Sequence, residues 1–289
     1  MRLARIAFPA GPDGAVAVDG HWVRLSSLTA SGPEPADVLR DPEPVARAAA
    51  QVDVERAAAT GDAVDDANVS LLTPLVRPGK LLAIGLNYRD HAREVGADLP
   101  EAPLLFGKFP SALTGPYSPV PVSPALTRHC DYEVELAVVI GRPARDVDVA
   151  DALDHVAAYA VANDLSARDL QFAEPQWIRS KSLDGFCPLG PWLTTADEVA
   201  DPQALPLRAW VNDELRQDSS TAQMIFGVAD LIAFLSQGIT LDTGDVILTG
   251  TPPGVAMGMP EPAWLQPGDV VRCTVDGLGE IANQIVAPA

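Results

Sequence analysis

Two glutamates stand two residues apart inside an apolar run, Asp131-Tyr132-Glu133-Val134-Glu135-Leu136-Ala137-Val138-Val139-Ile140-Gly141. The run is rich in β-branched residues and closes on glycine, so it reads as a strand. Side chains alternate across a strand, which puts Glu133 and Glu135 on one face and sends Tyr132, Val134 and Leu136 the other way, into a core. Two adjacent carboxylates that leave water repel each other and are costly to desolvate. A cation between them relieves both penalties. Two oxygen ligands at this spacing suit a hard divalent ion, Mg²⁺ or Mn²⁺, with Ca²⁺ as the remaining option. On its own an E-x-E pair is more often a solvated outer face, so the pattern needs companions. One follows at Ala160-Val161-Ala162-Asn163-Asp164, an apolar stretch that ends in a polar turn and offers Asp164 as a third ligand. Asp131 shares the face of the glutamates and is placed to support the site from behind.

His91 and Glu94 are three residues apart, the spacing of neighbours on one helical face. A carboxylate beside an imidazole orients it and raises its basicity, which suits a general base acting on water. An isolated H-x-x-E pair is more often a surface pair. Of 20 basic residues only Lys80, Lys108 and Lys181 are lysine, so each surviving lysine carries more information than usual. Lys108 and Lys181 fall close to the acidic segments, whereas Lys80 reads as the lead into a strand. Thr249-Gly250-Thr251-Pro252-Pro253-Gly254-Val255 is a glycine–proline turn. It is not a phosphate-binding P-loop, because no G-K-[ST] follows.

The elements that must position these residues are mostly short strands. Arg2 to Phe8 and Ala15 to Leu25 read as a hairpin around Gly11-Pro12-Asp13-Gly14, and Ala36 to Ala59 as one or two small helices. Arg77-Pro78-Gly79-Lys80 reads as a hinge, dividing the chain into a small N-terminal domain over residues 1–76 and a catalytic domain over 77–289. Lys80 to Leu86 is a buried strand and Asn87 to Gly96 a polar or helical turn. The proline-rich stretch 100–122 is loop with short extended pieces. Leu207 to Val211 and Glu214 to Asp218 form a hairpin on Asn212-Asp213. The apolar spacing of Val228, Leu231, Ile232 and Leu235 predicts a helix over 226–237. Two similar pieces, Leu241-Asp242-Thr243-Gly244-Asp245-Val246 and Leu265-Gln266-Pro267-Gly268-Asp269-Val270, read as corners of one sheet system. The expected fold class is α+β, dominated by strands.

Composition narrows the partners. A net charge of −19 over 289 residues argues against nucleic acid and anionic membranes. No apolar run approaches the twenty residues of a membrane span. The N-terminal apolar stretch is too short and too soon broken by Pro9 for a signal peptide. Three cysteines, Cys130, Cys187 and Cys273, without C-x-x-C spacing, fit a reducing cytoplasm and no disulfide framework.

Taken in order, the segments resemble the fumarylacetoacetate hydrolase family. That family carries G-x-N-Y-x-x-H-x-x-E, D-Y-E-x-E, N-D-x-S-x-R-D-x-Q, K-S-x-D-x-x-x-P-x-G-P and T-G-T-P-x-G-V. This chain has Gly85-Leu86-Asn87-Tyr88-Arg89-Asp90-His91-Ala92-Arg93-Glu94, Asp131-Tyr132-Glu133-Val134-Glu135, then Asn163-Asp164-Leu165-Ser166-Ala167-Arg168-Asp169-Leu170-Gln171. Lys181-Ser182-Leu183-Asp184-Gly185-Phe186-Cys187-Pro188-Leu189-Gly190-Pro191 and Thr249 to Val255 complete the set. The likeness runs from about residue 77 to the C-terminus and is nearest the acylpyruvate hydrolase-like branch.

The resemblance implies a mixed β-sandwich roll, usually as a homodimer. It implies Glu133, Glu135 and Asp164 as metal ligands, with His91 and Glu94 activating the attacking water. It places Lys181 where a developing enolate needs positive charge, and Arg168, Gln171 and Thr251 on the carboxylate and oxo group of a small 2-oxo acid. Tyr88 and Lys108 are weaker candidates for the pocket wall. The implied reaction is hydrolysis of a C–C bond in an acylpyruvate-like β-diketo acid through a metal-stabilised enolate. Decarboxylation, isomerisation and dehydration of 2-oxo acids use the same chemistry, and a tailoring step on a larger molecule or a non-catalytic scaffold are the other readings of such a chain.

Overall fold

The computed structural model describes residues 1–8, 11–29 and 34–288. Its centre is the antiparallel pair Val134–Ile140 and Val156–Asn163, with Glu135 opposite Ala162 and Val134 opposite Asn163. Cys187–Thr195 flanks one side of this pair and Val246–Leu248 the other. The sheet continues through Leu81–Gly85, parallel to Val246–Leu248, to an edge at Leu104–Gly107. In the opposite direction Arg2–Phe8 pairs with Cys187–Thr195, then Gly11–Val18, His21–Arg24 and Ala63–Asp65 follow, within a twelve-stranded sheet. The first residues of the chain therefore extend the sheet that carries the acidic strand.

Both faces of the central pair are covered, which is why Val134–Ile140 is buried at every position. Leu136, Val138 and Ile140 face a second, five-stranded sheet that contributes Leu207, Ala209, Val271, Cys273 and Ile281. The helix Val228–Leu235 closes the same core with Val228, Leu231 and Ile232. Ala137, Val139, Ala158, Ala160 and Ala162 face the other way, against Leu3, Val16, Leu25, Val38 and Val45 of the N-terminal segment. Alanine on this face leaves room for short helices to lie close to the sheet.

Several expectations shift. The run 131–141 is not one strand: Cys130–Asp131 pairs with Ser166–Ala167, and the strand proper starts at Val134. The break has a cause, since the Glu133 N–H donates to the Asn163 side chain (3.0 Å) and not to the ladder. Gly11-Pro12-Asp13-Gly14 lies within a strand, because Phe8 pairs with Gly11 and Ile6 with Asp13. The segment 15–25 folds back instead at Asp19-Gly20, both with positive φ (46° and 76°), the turn chemistry that an Asp-Gly pair offers a tight hairpin. Three short helices, Pro35–Val38, Glu43–Ala49 and Val54–Thr60, occupy the alanine-rich stretch; proline at the second and an Asp53 cap on the third divide them. The two similar turns feed different sheets, Val246–Leu248 the large one and Val270–Val275 the five-stranded one.

Candidate active site

Where the central pair ends, three carboxylates converge. Glu133, Glu135 and Asp164 are all buried, each offering an oxygen within 4.8 Å of the others. Backbone pairing sets this up: the Asp164 N–H donates to the Glu133 carbonyl (2.9 Å), so the start of one strand and the end of its neighbour bring the acids together. Glu135, inside the strand on the same face as Glu133, completes the triad.

Cations surround two of the three. Lys181 Nζ donates to Glu133 Oε2 and Asp164 Oδ2, both at 2.7 Å, and Lys108 Nζ donates to Asp164 Oδ1 at 2.5 Å. Arg168 Nη2 donates to Glu133 Oε1 at 2.5 Å. Two of the chain's three lysines thus lie against the same buried aspartate, while Lys80 pairs with Asp242 and Asp245 away from the triad. Burial would raise the Glu133 pKa, but Lys181 and Arg168 outweigh it and hold the carboxyl down at about 2. Lys181 is itself held charged by Asp164 and Glu133 against the opposing effect of its burial.

Glu135 behaves oppositely. It accepts one backbone N–H, from Gly250 at 2.7 Å, and forms no ion pair among the described residues. Burial, then the negative charges of Asp164 and Glu133, push its carboxyl well above the usual range. A buried acid oxygen that lacks a cation, beside two acids that have one, is a position a divalent ion fits: the donor set is all oxygen and hard. Glu133, Glu135 and Asp164 would be its ligands.

The Gly250 N–H can reach Glu135 because its residue is glycine. Its φ is +96°, and a Cβ there would lie 2.8 Å from the Asn87 Cβ. Asn87 in turn donates to the Phe226 and Thr249 carbonyls (3.0 and 2.8 Å), tying the Thr249 turn to the strand before His91. Thr251 lines the cavity, yet its hydroxyl donates to the Val134 carbonyl (3.0 Å) and accepts from Gln217 (2.9 Å).

His91 lies on the short helix Arg89–Glu94. Its Nδ1 meets Glu94 Oε2 at 2.8 Å, and the other Glu94 oxygen accepts the Gly254 N–H at 2.8 Å. With Nδ1–H donated to a carboxylate, Nε2 keeps the lone pair. Glu94 has little room. A Cβ on Gly258 would stand 2.6 Å from its carboxyl carbon, so glycine at 258 is what lets the carboxylate sit there. Asp131 matches Glu94 from the other side: it accepts from Arg168 Nε (2.9 Å) and from the N–H groups of Ala256 and Met257 (2.7 and 3.2 Å). The 254–258 turn is therefore clasped by two carboxylates, one orienting His91 and the other Arg168.

A cavity of about 190 Å³ joins these groups, lined by Glu133, Glu135, Lys181, Arg168, Gln171, Thr251 and His91 among others. Gln171 accepts from Arg168 Nη1 (2.9 Å). Tyr88 and Lys108 do not line it. Tyr88 is fully buried, its hydroxyl has no hydrogen-bond partner among the described residues, and burial followed by Glu135 raises its pKa well above normal. Sequence reasoning missed Gln217, Gly258, Phe106, Phe172 and Trp177. Spacing gives no cue to the aromatic wall, but a glutamine facing inward in an alternating hairpin strand is a signal that was available for Gln217.

The chain is also similar to known proteins. The fumarylacetoacetate (FAA) hydrolase C-terminal family pattern matches residues 80–286. A mitochondrial oxaloacetate tautomerase of Xenopus laevis is 47% identical over 221 residues, 76% of this chain and 69% of that protein. The structure of a fumarylacetoacetate hydrolase from Exiguobacterium antarcticum superposes with a TM-score of 0.88 at 37% identity, covering 100% of both chains. A maleylpyruvate hydrolase from Sphingobium sp. SYK-6, solved with manganese(II) and pyruvate, gives 0.80 at 34% identity, again covering 100% of both chains.

Proposed function

The chain belongs to the fumarylacetoacetate hydrolase family, and within it we propose a divalent-metal-dependent enzyme that hydrolyses a C–C bond in a small acylpyruvate-like 2-oxo acid. The observation that carries this reading is that a carboxylate-oriented histidine opens onto the same cavity as Glu133 and Glu135, two of the three converging acids, with Asp164 buried beside them. A divalent ion held by Glu133, Glu135 and Asp164 would supply positive charge against the keto oxygen and favour its enolate form. The rest is work for side chains. Arg168 and Lys181 each keep N–H groups beyond those given to protein acids, and with Gln171 they hold the substrate carboxylate. His91 Nε2 takes a proton from water, and Glu94 steadies the imidazolium that forms. The hydroxide adds to the distal carbonyl carbon. The C–C bond breaks, its electrons pass to the enolate carbon, and the imidazolium returns a proton there. The products are a carboxylic acid and a pyruvate-type acid.

A second reading is keto–enol tautomerisation, favoured by the 47% identity to the oxaloacetate tautomerase. His91 would then move a proton to and from carbon with no water added. One pair of assays separates the two. With Mg²⁺ or Mn²⁺, pyruvate release from an acylpyruvate supports hydrolysis, and faster decay of enol-oxaloacetate absorbance without C–C cleavage supports tautomerisation. Absence of both above buffer rates overturns the enolate reading.

The proposal extends to Mg²⁺ as the working ion, a homodimer, and a cytoplasmic setting consistent with three buried free cysteines. It also keeps the division at residue 76, since no lining residue of the cavity precedes Ile84. Metal titration and light scattering test the first two.

A further inference from the structure

The cavity has two chemically different ends. Its deep end is charged: Glu135 is 1% exposed and Lys181 2%. Its mouth is apolar: Val95 is 36% exposed, Leu104 43% and Phe172 72%. Trp177 and Met257 belong to the same lining, and the order can be followed through contacts. Lys181 Nζ lies 5.2 Å from the Phe106 ring, which meets Trp177 edge-on at 5.5 Å. Trp177 and Leu104 lie over Gly85, where an added Cβ would stand 2.9 Å and 3.1 Å from them.

Charge balance sharpens this. Around the triad, with all four acids ionised as metal binding requires, Asp131, Glu133, Glu135 and Asp164 face Lys108, Arg168 and Lys181, one net negative charge that a divalent ion would turn into one positive. That accommodates one carboxylate. Glu94, paired with His91 behind the lining, makes a second anion still less welcome. Apart from His91, the proposed base, the cations in the lining among the described residues are Arg168 and Lys181, both buried at the deep end. A second carboxylate on the substrate would meet Val95, Leu104, Phe172, Trp177 and Met257.

Resting on the hydrolase reading proposed above, and not on the tautomerase one, whose oxaloacetate carries two carboxylates, we infer that this enzyme selects monocarboxylic 2-oxo acids whose distal substituent is an alkyl or aryl group, not a second carboxylate. Phe172 and Met257 set that preference by covering the tail. An exposed phenylalanine beside a polar cavity then has a use, since apolar area buried on a bound tail is what its position offers.

The test is a series of oxamates, flat mimics of a pyruvate enolate, titrated calorimetrically into protein loaded with Mg²⁺. Unsubstituted oxamate carries the head alone; N-alkyl oxamates add an apolar tail, and an N-carboxyalkyl oxamate of equal length ends in a carboxylate. Affinity should rise about two- to fourfold per added methylene, and the carboxylate-ended compound should bind at least about tenfold more weakly than its methyl-ended counterpart. Phe172→Ser should flatten the chain-length dependence and leave unsubstituted oxamate unchanged. Met257→Lys should recover affinity for the carboxylate-ended compound. A flat series in the unaltered protein, or equal or tighter binding of the carboxylate-ended compound, overturns the inference while the 2-oxo acid reading stands. Failure of unsubstituted oxamate to bind at millimolar concentration overturns both.

Discussion

The two ends of the central strands make opposite use of space. At the end where Gly141, Val156 and Thr195 lie, a cavity of about 850 Å³ opens against the N-terminal helices. At the other end, where Glu133 and Asp164 lie, the cavity measures only about 190 Å³. The larger space holds charges that water screens, such as Arg142 and Asp154, 4.0 Å apart with side chains 61% and 74% exposed. The smaller one holds a buried network in which every acid but Glu135 has a cation. Volume alone therefore points to the end whose charges water screens. Converging buried charge, which is costly unless something recognises it, points to the proposed site.

The largest effect should come from Glu135→Ala. Removal of the acid that lacks a cation should weaken Mg²⁺ or Mn²⁺ binding by more than about 100-fold, beyond what outer-shell partners cost, with activity lost. Unchanged affinity by calorimetry would place the ion elsewhere. Next, His91→Ala should lower turnover by about 10²–10⁴ and leave metal affinity intact. Gly258→Ala should push Glu94 off His91 without touching a ligand. We expect turnover to fall about tenfold, the low end of what loss of an orienting partner costs, with a shifted pH profile; an unaltered profile would show that Glu94 does not steer the imidazole.

The pH dependence of the acids should diverge. Glu133, with its folded pKa lowered to about 2, contributes stability that is present above its ordinary value and lost as pH falls toward 2. Glu135, with its folded pKa raised, contributes stability present below its ordinary value and lost as pH rises through the folded one. In metal-free protein at pH 8, Glu135→Gln should therefore raise Tm by roughly 2 °C for each ~1 kcal/mol of relief, and Glu133→Gln should lower it. Divalent-ion affinity should fall on acidification, because Glu135 must give up a proton. The smallest effect belongs to the large cavity. Arg142→Ala should cost less than about 1 kcal/mol and leave activity unchanged; a strong loss of activity would break the contrast between the two ends.

The same contrast shows what could be read in advance. Glu133 and Glu135 were placed on one face by the period of a strand, and His91 and Glu94 together by the period of a helix. Both are backbone properties that operate within a few residues. Contacts that close long loops were not legible. Asp131 reaches Met257 across 126 positions and Lys181 reaches Glu133 across 48, and no local period encodes either. The expected turn failed because Gly11-Pro12-Asp13-Gly14, despite its turn chemistry, is drawn into a strand by pairing with Arg5 to Phe8, while Asp19-Gly20 closes a further hairpin.

Order and type of residues determined a good deal by themselves: the family, the strand-dominated fold class, and the acids and the histidine proposed for the site. Only tertiary structure decided how they are arranged. Burial turned three nearby carboxylates into two that are paired and one that is not. The packing of Trp177, Leu104 and Phe172 gave one end of the cavity an apolar mouth. Both outcomes depend on which distant residues share a low-dielectric space, and that is fixed when the sheets close on each other, not by neighbours along the chain.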